Sequence, residues 1–113
     1  MSQITTHVLD TSLGKPASGV PIVLELQIAD GKWKKLGHGV TDADGRVTNL
    51  LGTNALQSGT YRLTFDTGTH FKARGMQGFY PQVIITFEVT NSLEHHHVPL
   101  LLSPYGYSTY RGS

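Results

Sequence analysis

The alternation of apolar and polar residues along three stretches of the chain is the feature that most limits its possible folds. Apolar side chains occupy every second position within residues 20–28, 61–65 and 83–89. A repeat of two residues is typical of a β-strand with one face in a core, because successive side chains point to opposite faces of a sheet. Turn residues separate these runs, as in the Asp-Gly pair at positions 44–45. The chain is therefore predicted to be all-β.

The spacing of apolar runs and turns predicts about eight short strands. They are expected near residues 3–10, 20–29, 33–41, 46–49, 59–66, 82–90, 95–102 and 106–110. One short helix is expected around residues 69–75, with Asp66 or Thr69 as its N-cap. Many short strands in a chain with 13 glycines favour a β-sandwich. A length of 113 residues suits one hydrophobic core, so residues 1–113 are predicted to form a single domain.

The composition excludes several classes of function. A formal net charge of +1 with 15% charged residues gives no basic stripe, so no nucleic-acid partner is expected. The chain has no cysteine, which excludes disulfides, thiolate zinc sites and a cysteine nucleophile. No apolar run approaches the roughly 18 residues of a membrane span, and no signal peptide is visible at the N-terminus. A cytoplasmic enzyme or binding protein without membrane association is therefore expected.

Histidines on two predicted strands are the strongest local signal for chemistry. Strand parity divides the segment 95–102 into two faces, with one face carrying the aliphatic run that belongs in a core. The opposite face carries His95, His97, Pro99 and Leu101. By the same parity His7 shares an outer face with Leu9. Such semi-apolar outer faces are normally covered by a second subunit or a substrate, so His7 and His97 are candidate site residues.

A zinc site is the rival interpretation of these imidazoles. His95 and His97 share a face, and His7 could complete a set of three nitrogen ligands. No carboxylate falls on that face nearby, and His96 points to the other side. We therefore predict no bound metal.

Three motifs together carry a family resemblance. They are the C-terminal Tyr110-Arg111-Gly112-Ser113, His7 within residues 6–10, and His97 within residues 97–104. With them the chain resembles the transthyretin-related 5-hydroxyisourate hydrolases essentially from end to end. His96 is a departure, because relatives commonly carry tyrosine between the two flanking histidines.

The resemblance implies a transthyretin-like (prealbumin-like) Greek-key β-sandwich of two four-stranded sheets with one short helix. In that family two subunits pair edge to edge, and two pairs pack face to face. A homotetramer, as a dimer of dimers with active sites between subunits, is therefore expected. Such an arrangement would cover the semi-apolar face that carries His7 and His97.

The resemblance also implies a reaction. It is the hydrolysis of 5-hydroxyisourate to 2-oxo-4-hydroxy-4-carboxy-5-ureidoimidazoline in urate catabolism, without a cofactor. His7, Arg46 and His97 would be the catalytic residues and would also bind substrate. Ser108 and Tyr110, which share a strand face by parity, would form the wall of the pocket.

Two alternatives belong to other classes of function. A small-ligand carrier of transthyretin type would have lysine, glutamate and threonine in place of His7, Arg46 and His97. A non-catalytic β-sandwich binding module would share the turn-rich segments 10–20 and 41–45. Such a module has no reason to end in Tyr-Arg-Gly-Ser.

Overall fold

The computed structural model describes residues 3–113 of the chain. These residues contain nine strands and one helix. The first sheet contains β1 (Ile4–Asp10), β2 (Lys15–Pro16), β5 (Arg46–Val47), β8 (His96–Ser103) and β9 (Gly106–Thr109). The second sheet contains β3 (Pro21–Ala29), β4 (Lys32–Val40), β6 (Gly59–Phe65) and β7 (Val83–Val89). The helix α1 spans Thr67–Ala73.

The two sheets have different pairing patterns. The first runs β2-β1-β8-β9, with β5 also paired to β1, and the second runs β4-β3-β6-β7. The β1–β8 pair is parallel, and the other pairs are antiparallel. The sandwich is therefore confirmed, but its first sheet has five strands where two sheets of four were expected. The extra strand is β2, only two residues long, so no alternation in the sequence could reveal it.

The hydrophobic core lies between the facing sides of the two sheets. Tyr61, Leu63 and Phe65 on β6 are fully buried, as the alternation predicted. The prediction was wrong for Ile28, which is 61% exposed. A register shift between Gln27 and Ala29 interrupts the pairing of β3 with β4 there. Such irregularities turn the following side chains away from the core.

The helix forms where a cap and one apolar face coincide. The Asp66 side chain accepts hydrogen bonds from the backbone N–H and the hydroxyl of Thr69, at 3.2 and 2.7 Å. This confirms Asp66 as the N-cap, and α1 begins two residues before the predicted start. His70 and Phe71 are buried against the sandwich. No helix within residues 3–113 is long and apolar enough to span a membrane.

Candidate active site

His7, Arg46 and His97 lie on three adjacent strands of the first sheet. His7 is directly opposite Arg46 in the β1–β5 pair and opposite Pro99 in the β1–β8 pair. His97 is opposite Thr5, one position along the same face of β1. Residues opposite each other in a sheet point to the same side, so the three side chains share one face. That face points away from the core, because the alternate residues of β1 and β8 are the buried ones.

The His97 ring is held between β1 and the C-terminal segment. Its Nδ1 lies 2.8 Å from the hydroxyl oxygen of Thr5. The backbone N–H of Gly112 donates a 2.9 Å hydrogen bond to the carbonyl of His97. A side chain at position 112 would place its Cβ only 2.5 Å from Cδ2 of the ring. The C-terminal segment thus docks on the fold, and its glycine allows the close contact.

Sequence reasoning missed Thr5. Its Oγ1 lies 2.8 Å from Nε2 of His95 and 2.8 Å from Nδ1 of His97. The centroids of the two imidazole rings are 6.3 Å apart. Parity could have found Thr5, since it shares its strand face with His7. The pairing of β1 with β8, which brings the threonine between the histidines, is visible only in the structure.

The surroundings of His97 favour the neutral imidazole. Burial lowers its pKa below the ordinary value, and the nearby His95, Arg46 and His7 lower it further. A hydrogen bond with the Thr5 backbone raises this pKa, without cancelling the shift. A neutral imidazole can accept a proton, so this ring is suited to act as a base.

Arg46 is held by its backbone and presents a free side chain. Its N–H donates to the Asp42 carboxylate at 3.0 Å, and its carbonyl accepts from the Asp42 N–H at 3.1 Å. Within residues 3–113 its guanidinium forms no hydrogen bond or ion pair. The exposed planar group is therefore available to bind a ligand with two parallel hydrogen bonds.

The two predicted wall residues lie in different places. Tyr110 lines a cavity of about 250 Å³ together with Phe87, His97 and Arg111. Ser108 is opposite Leu101 on the outer face, beside a separate shallow depression. His7 and Arg46 do not line the Tyr110 cavity. The structure of one chain therefore brings Tyr110, but not Ser108, next to His97.

His96 lies on the core side of β8, opposite to its two neighbours. It is 4% exposed, and burial, followed by the charge on Arg111, lowers its pKa. Its Nδ1 has no hydrogen-bond partner among the described residues. His96 is thus separated from the outer-face histidines, as parity predicted.

The geometry gives no support to the zinc interpretation. Within residues 3–113, no three histidine, cysteine, aspartate or glutamate side chains come together in a way that could hold a metal ion.

Comparisons with known proteins identify the family of this chain. The profile of the HIUase/Transthyretin family matches residues 4–112. A 5-hydroxyisourate hydrolase of Salmonella dublin is 47% identical over 110 residues, which are 97% of this chain and 80% of that protein.

Two solved structures show the same fold. A 5-hydroxyisourate hydrolase of Klebsiella pneumoniae has a TM-score of 0.84 and 36% identity, over 97% of this chain and 98% of that one. Sea bream transthyretin in complex with thyroxine has a TM-score of 0.91 and 31% identity, over 98% and 95%. The chain belongs to the HIUase/Transthyretin family.

Proposed function

We propose that this protein hydrolyses 5-hydroxyisourate, opening a ring of the substrate at an amide-like carbonyl. The observation that carries the proposal is the shared outer face of β5, β1 and β8. It presents His7, Arg46 and His97 together, at the positions that the family resemblance indicated. The 47% identity to a protein named 5-hydroxyisourate hydrolase supports the same activity.

His97 is the proposed base. Its neutral imidazole takes a proton from water at Nε2 while the water oxygen bonds to the carbonyl carbon. The carbonyl electron pair moves to oxygen and forms a tetrahedral oxyanion. When the carbonyl re-forms, the carbon–nitrogen bond breaks and the leaving nitrogen takes up a proton from an imidazolium. General acid–base catalysis of this kind typically accelerates a reaction about 10²–10⁴-fold.

Arg46 and His7 complete the proposed site. The Arg46 fork can bind adjacent oxygen and nitrogen atoms of the substrate ring and offset the oxyanion charge. His7, directly opposite Arg46, is placed to hold the water or the substrate between them. None of these steps requires a cofactor.

The assembly is proposed to be a homotetramer, a dimer of dimers. The outer face that carries the histidines also presents the half-buried Leu9 and Leu101, which a second subunit would cover, whereas Pro99 is already buried within the single chain. Tyr110 and Ser108 could then approach the site in the assembly. Light scattering at micromolar concentration should give the mass of four chains, and a stable, fully active monomer would contradict a shared site.

One assay tests the activity. Urate oxidase generates 5-hydroxyisourate from urate, and ultraviolet absorbance follows its decay with and without the protein, corrected for spontaneous hydrolysis. We expect faster decay with the wild type. Arg46→Lys keeps the charge but loses the planar fork, so it should bind and orient the substrate less well. No acceleration, together with tight binding of thyroxine, would favour a carrier instead.

A further inference from the structure

The Thr5 side chain is the only described group that bridges the two outer-face histidines of residues 95–97. Its hydroxyl oxygen is 2.8 Å from Nε2 of His95 and 2.8 Å from Nδ1 of His97, both within ordinary hydrogen-bond range. Thr5 is 8% exposed, so water has little access to compete for these bonds. The pairing of Thr5 with His97 across β1 and β8 fixes this arrangement in the sheet.

Counting hydrogens limits what this arrangement allows. A hydroxyl has one hydrogen to donate and two lone pairs that accept, and each neutral imidazole carries one hydrogen on one of its two nitrogens. With both rings neutral and both bonds made, at least one ring must present N–H to Thr5. If Thr5 donates to His97, then Nε2 of His97 carries the hydrogen and cannot act as a base. If Thr5 does not donate to His97, then Nδ1 of His97 carries the hydrogen and Nε2 is bare.

We propose that Thr5 is the positioning residue for His97, an inference that rests on the hydrolysis proposed above. Its hydroxyl accepts the Nδ1 hydrogen of His97, donates its own hydrogen to His95, and so keeps Nε2 of His97 free to take a proton from water. The same bond persists after His97 is protonated, because Nδ1 still carries its hydrogen. The same hydrogen bond therefore orients the His97 ring in both its neutral and its protonated state.

The opposite side of the ring supports this orientation. Cδ2 of His97 packs against Gly112, where even a Cβ would have to sit 2.5 Å away. Turning the ring over would exchange Nδ1 and Cδ2 and break the bond to Thr5. Within residues 3–113, Nε2 of His97 makes no hydrogen bond. Thr5 and Gly112 thus fix the ring from two sides and leave one nitrogen for chemistry.

Kinetics with three variants provide the first test. Thr5→Val keeps the shape but removes the hydroxyl, and we expect kcat to fall roughly 10–100-fold, the usual effect of losing an orienting partner, with KM changing little. Thr5→Ser keeps the hydroxyl and should restore most of the rate. Thr6→Val is the matched control, because the Thr6 hydroxyl donates to the Val98 carbonyl on the core side. It should lower stability and leave kcat near wild type.

Nitrogen-15 NMR of histidine-labelled protein tests the inference without substrate. Above the titration range, Nδ1 of His97 should be protonated and Nε2 of His95 bare in wild type and Thr5→Ser. In Thr5→Val, His97 should shift towards a mixture of tautomers. Wild-type spectra with both of these nitrogens protonated, or with Nδ1 of His97 bare, would overturn the proposal even if Thr5→Val fails to fold.

The two proposals fail in different ways. A wild-type protein that does not accelerate 5-hydroxyisourate decay defeats the proposed function, while the NMR measurement still decides the hydrogen bonding of Thr5. An active wild type whose kcat and His97 nitrogen shifts both survive in Thr5→Val defeats the positioning role alone.

Discussion

Strand β1 contacts a histidine-containing group on each of its two faces, and the two groups differ in their bonding partners. Near its start, Thr5 contacts His95 and His97 on the outer face. At its end, Asp10 on the core face contacts His70 and Arg74 of the helical segment. We call the first group the outer-face cluster and the second the buried ion-pair cluster.

The clusters differ first in their partners. In the buried ion-pair cluster, the Asp10 carboxylate is 0% exposed and lies 2.9 Å from Nε2 of His70 and 2.6 Å from Nη1 of Arg74. Burial alone would raise the pKa of Asp10, but hydrogen bonds from His70 and Ser12 and the charge of Arg74 lower it below its ordinary value. In the outer-face cluster the partner of His97 is a hydroxyl, and burial, followed by the neighbouring His95, Arg46 and His7, lowers the pKa of His97.

The comparison shows that partners, rather than the imidazole itself, decide what a histidine can do. In the buried ion-pair cluster the Asp10 carboxylate holds both His70 and Arg74, so the cluster ties the helical segment to β1. A hydroxyl on one nitrogen and an unoccupied second nitrogen leave His97 able to exchange a proton. Four predictions test this difference.

Removing either outer-face histidine should have the largest effect on activity. His97→Asn and His7→Asn should each slow the chemical step about 10²–10⁴-fold, because proton-transfer help is lost. Thermal melts should change little, since both side chains point away from the core. Decay of enzymatically generated 5-hydroxyisourate measures the rate. If His70→Asn abolished the chemical step while His97→Asn did not, the assignment of the two clusters would be reversed.

Breaking the buried ion-pair cluster should affect stability instead. Asp10→Asn leaves His70 and Arg74 without their buried anion, and removing one partner of such a pair typically costs about 3–5 kcal/mol of unfolding free energy. Urea unfolding followed by fluorescence measures the loss. At a temperature where the variant is folded, we expect its kcat to stay within a few fold of wild type, and a 100-fold loss there would show that the clusters are coupled.

A smaller effect on activity is expected at the C-terminal contact. Gly112→Ala places a methyl group within 2.5 Å of the His97 ring, so the ring or the C-terminal segment must move. A displacement of about 1 Å at a reacting group can cost roughly 10²-fold in rate. Gly106→Ala is the control, because its added Cβ would meet only the Ser103 hydroxyl, at 3.7 Å. Equal rates for both variants would show that the tight contact does not orient His97.

The mildest effect concerns stability against pH. The pKa values of His96 and His97 are lowered from 6.5 in the folded protein, so below pH 6.5 the unfolded chain binds more protons. Stability should therefore be full above that pH and fall as the pH decreases towards the folded-state values. Asp10, whose pKa is lowered from 3.8, keeps its contribution above pH 3.8 and loses it below, as the pH falls through its folded value.

Melting temperatures of wild type and His96→Asn between pH 8 and 3 can separate the loss of stability due to the histidines from the loss due to Asp10. The variant should lose less stability as the pH falls below 6.5, and both proteins should lose further stability below pH 3.8. His38→Asn, which removes an exposed histidine outside both clusters, is the control. If the melting temperatures of His96→Asn and wild type fall in parallel below pH 6.5, His96 does not contribute to the pH dependence of stability.

The sequence by itself determined which face of β3, β6, β7 and β8 is buried. Alternation is local and the apolar side must meet a core, so the positions of β3, β6, β7 and β8 and the outward direction of His7 and His97 followed from residue order alone. The Asp66 cap followed from its own neighbours in the same way. These features need no knowledge of which strands pair.

Only the tertiary structure decided which strands lie side by side. The parallel pairing of β1 with β8 joins residues about 90 positions apart, and it alone brings Thr5 between His95 and His97. The same holds for the contact of Asp10 with His70 across the sandwich. Nothing in a local pattern specifies such partners, because they depend on how the two sheets close around the shared core.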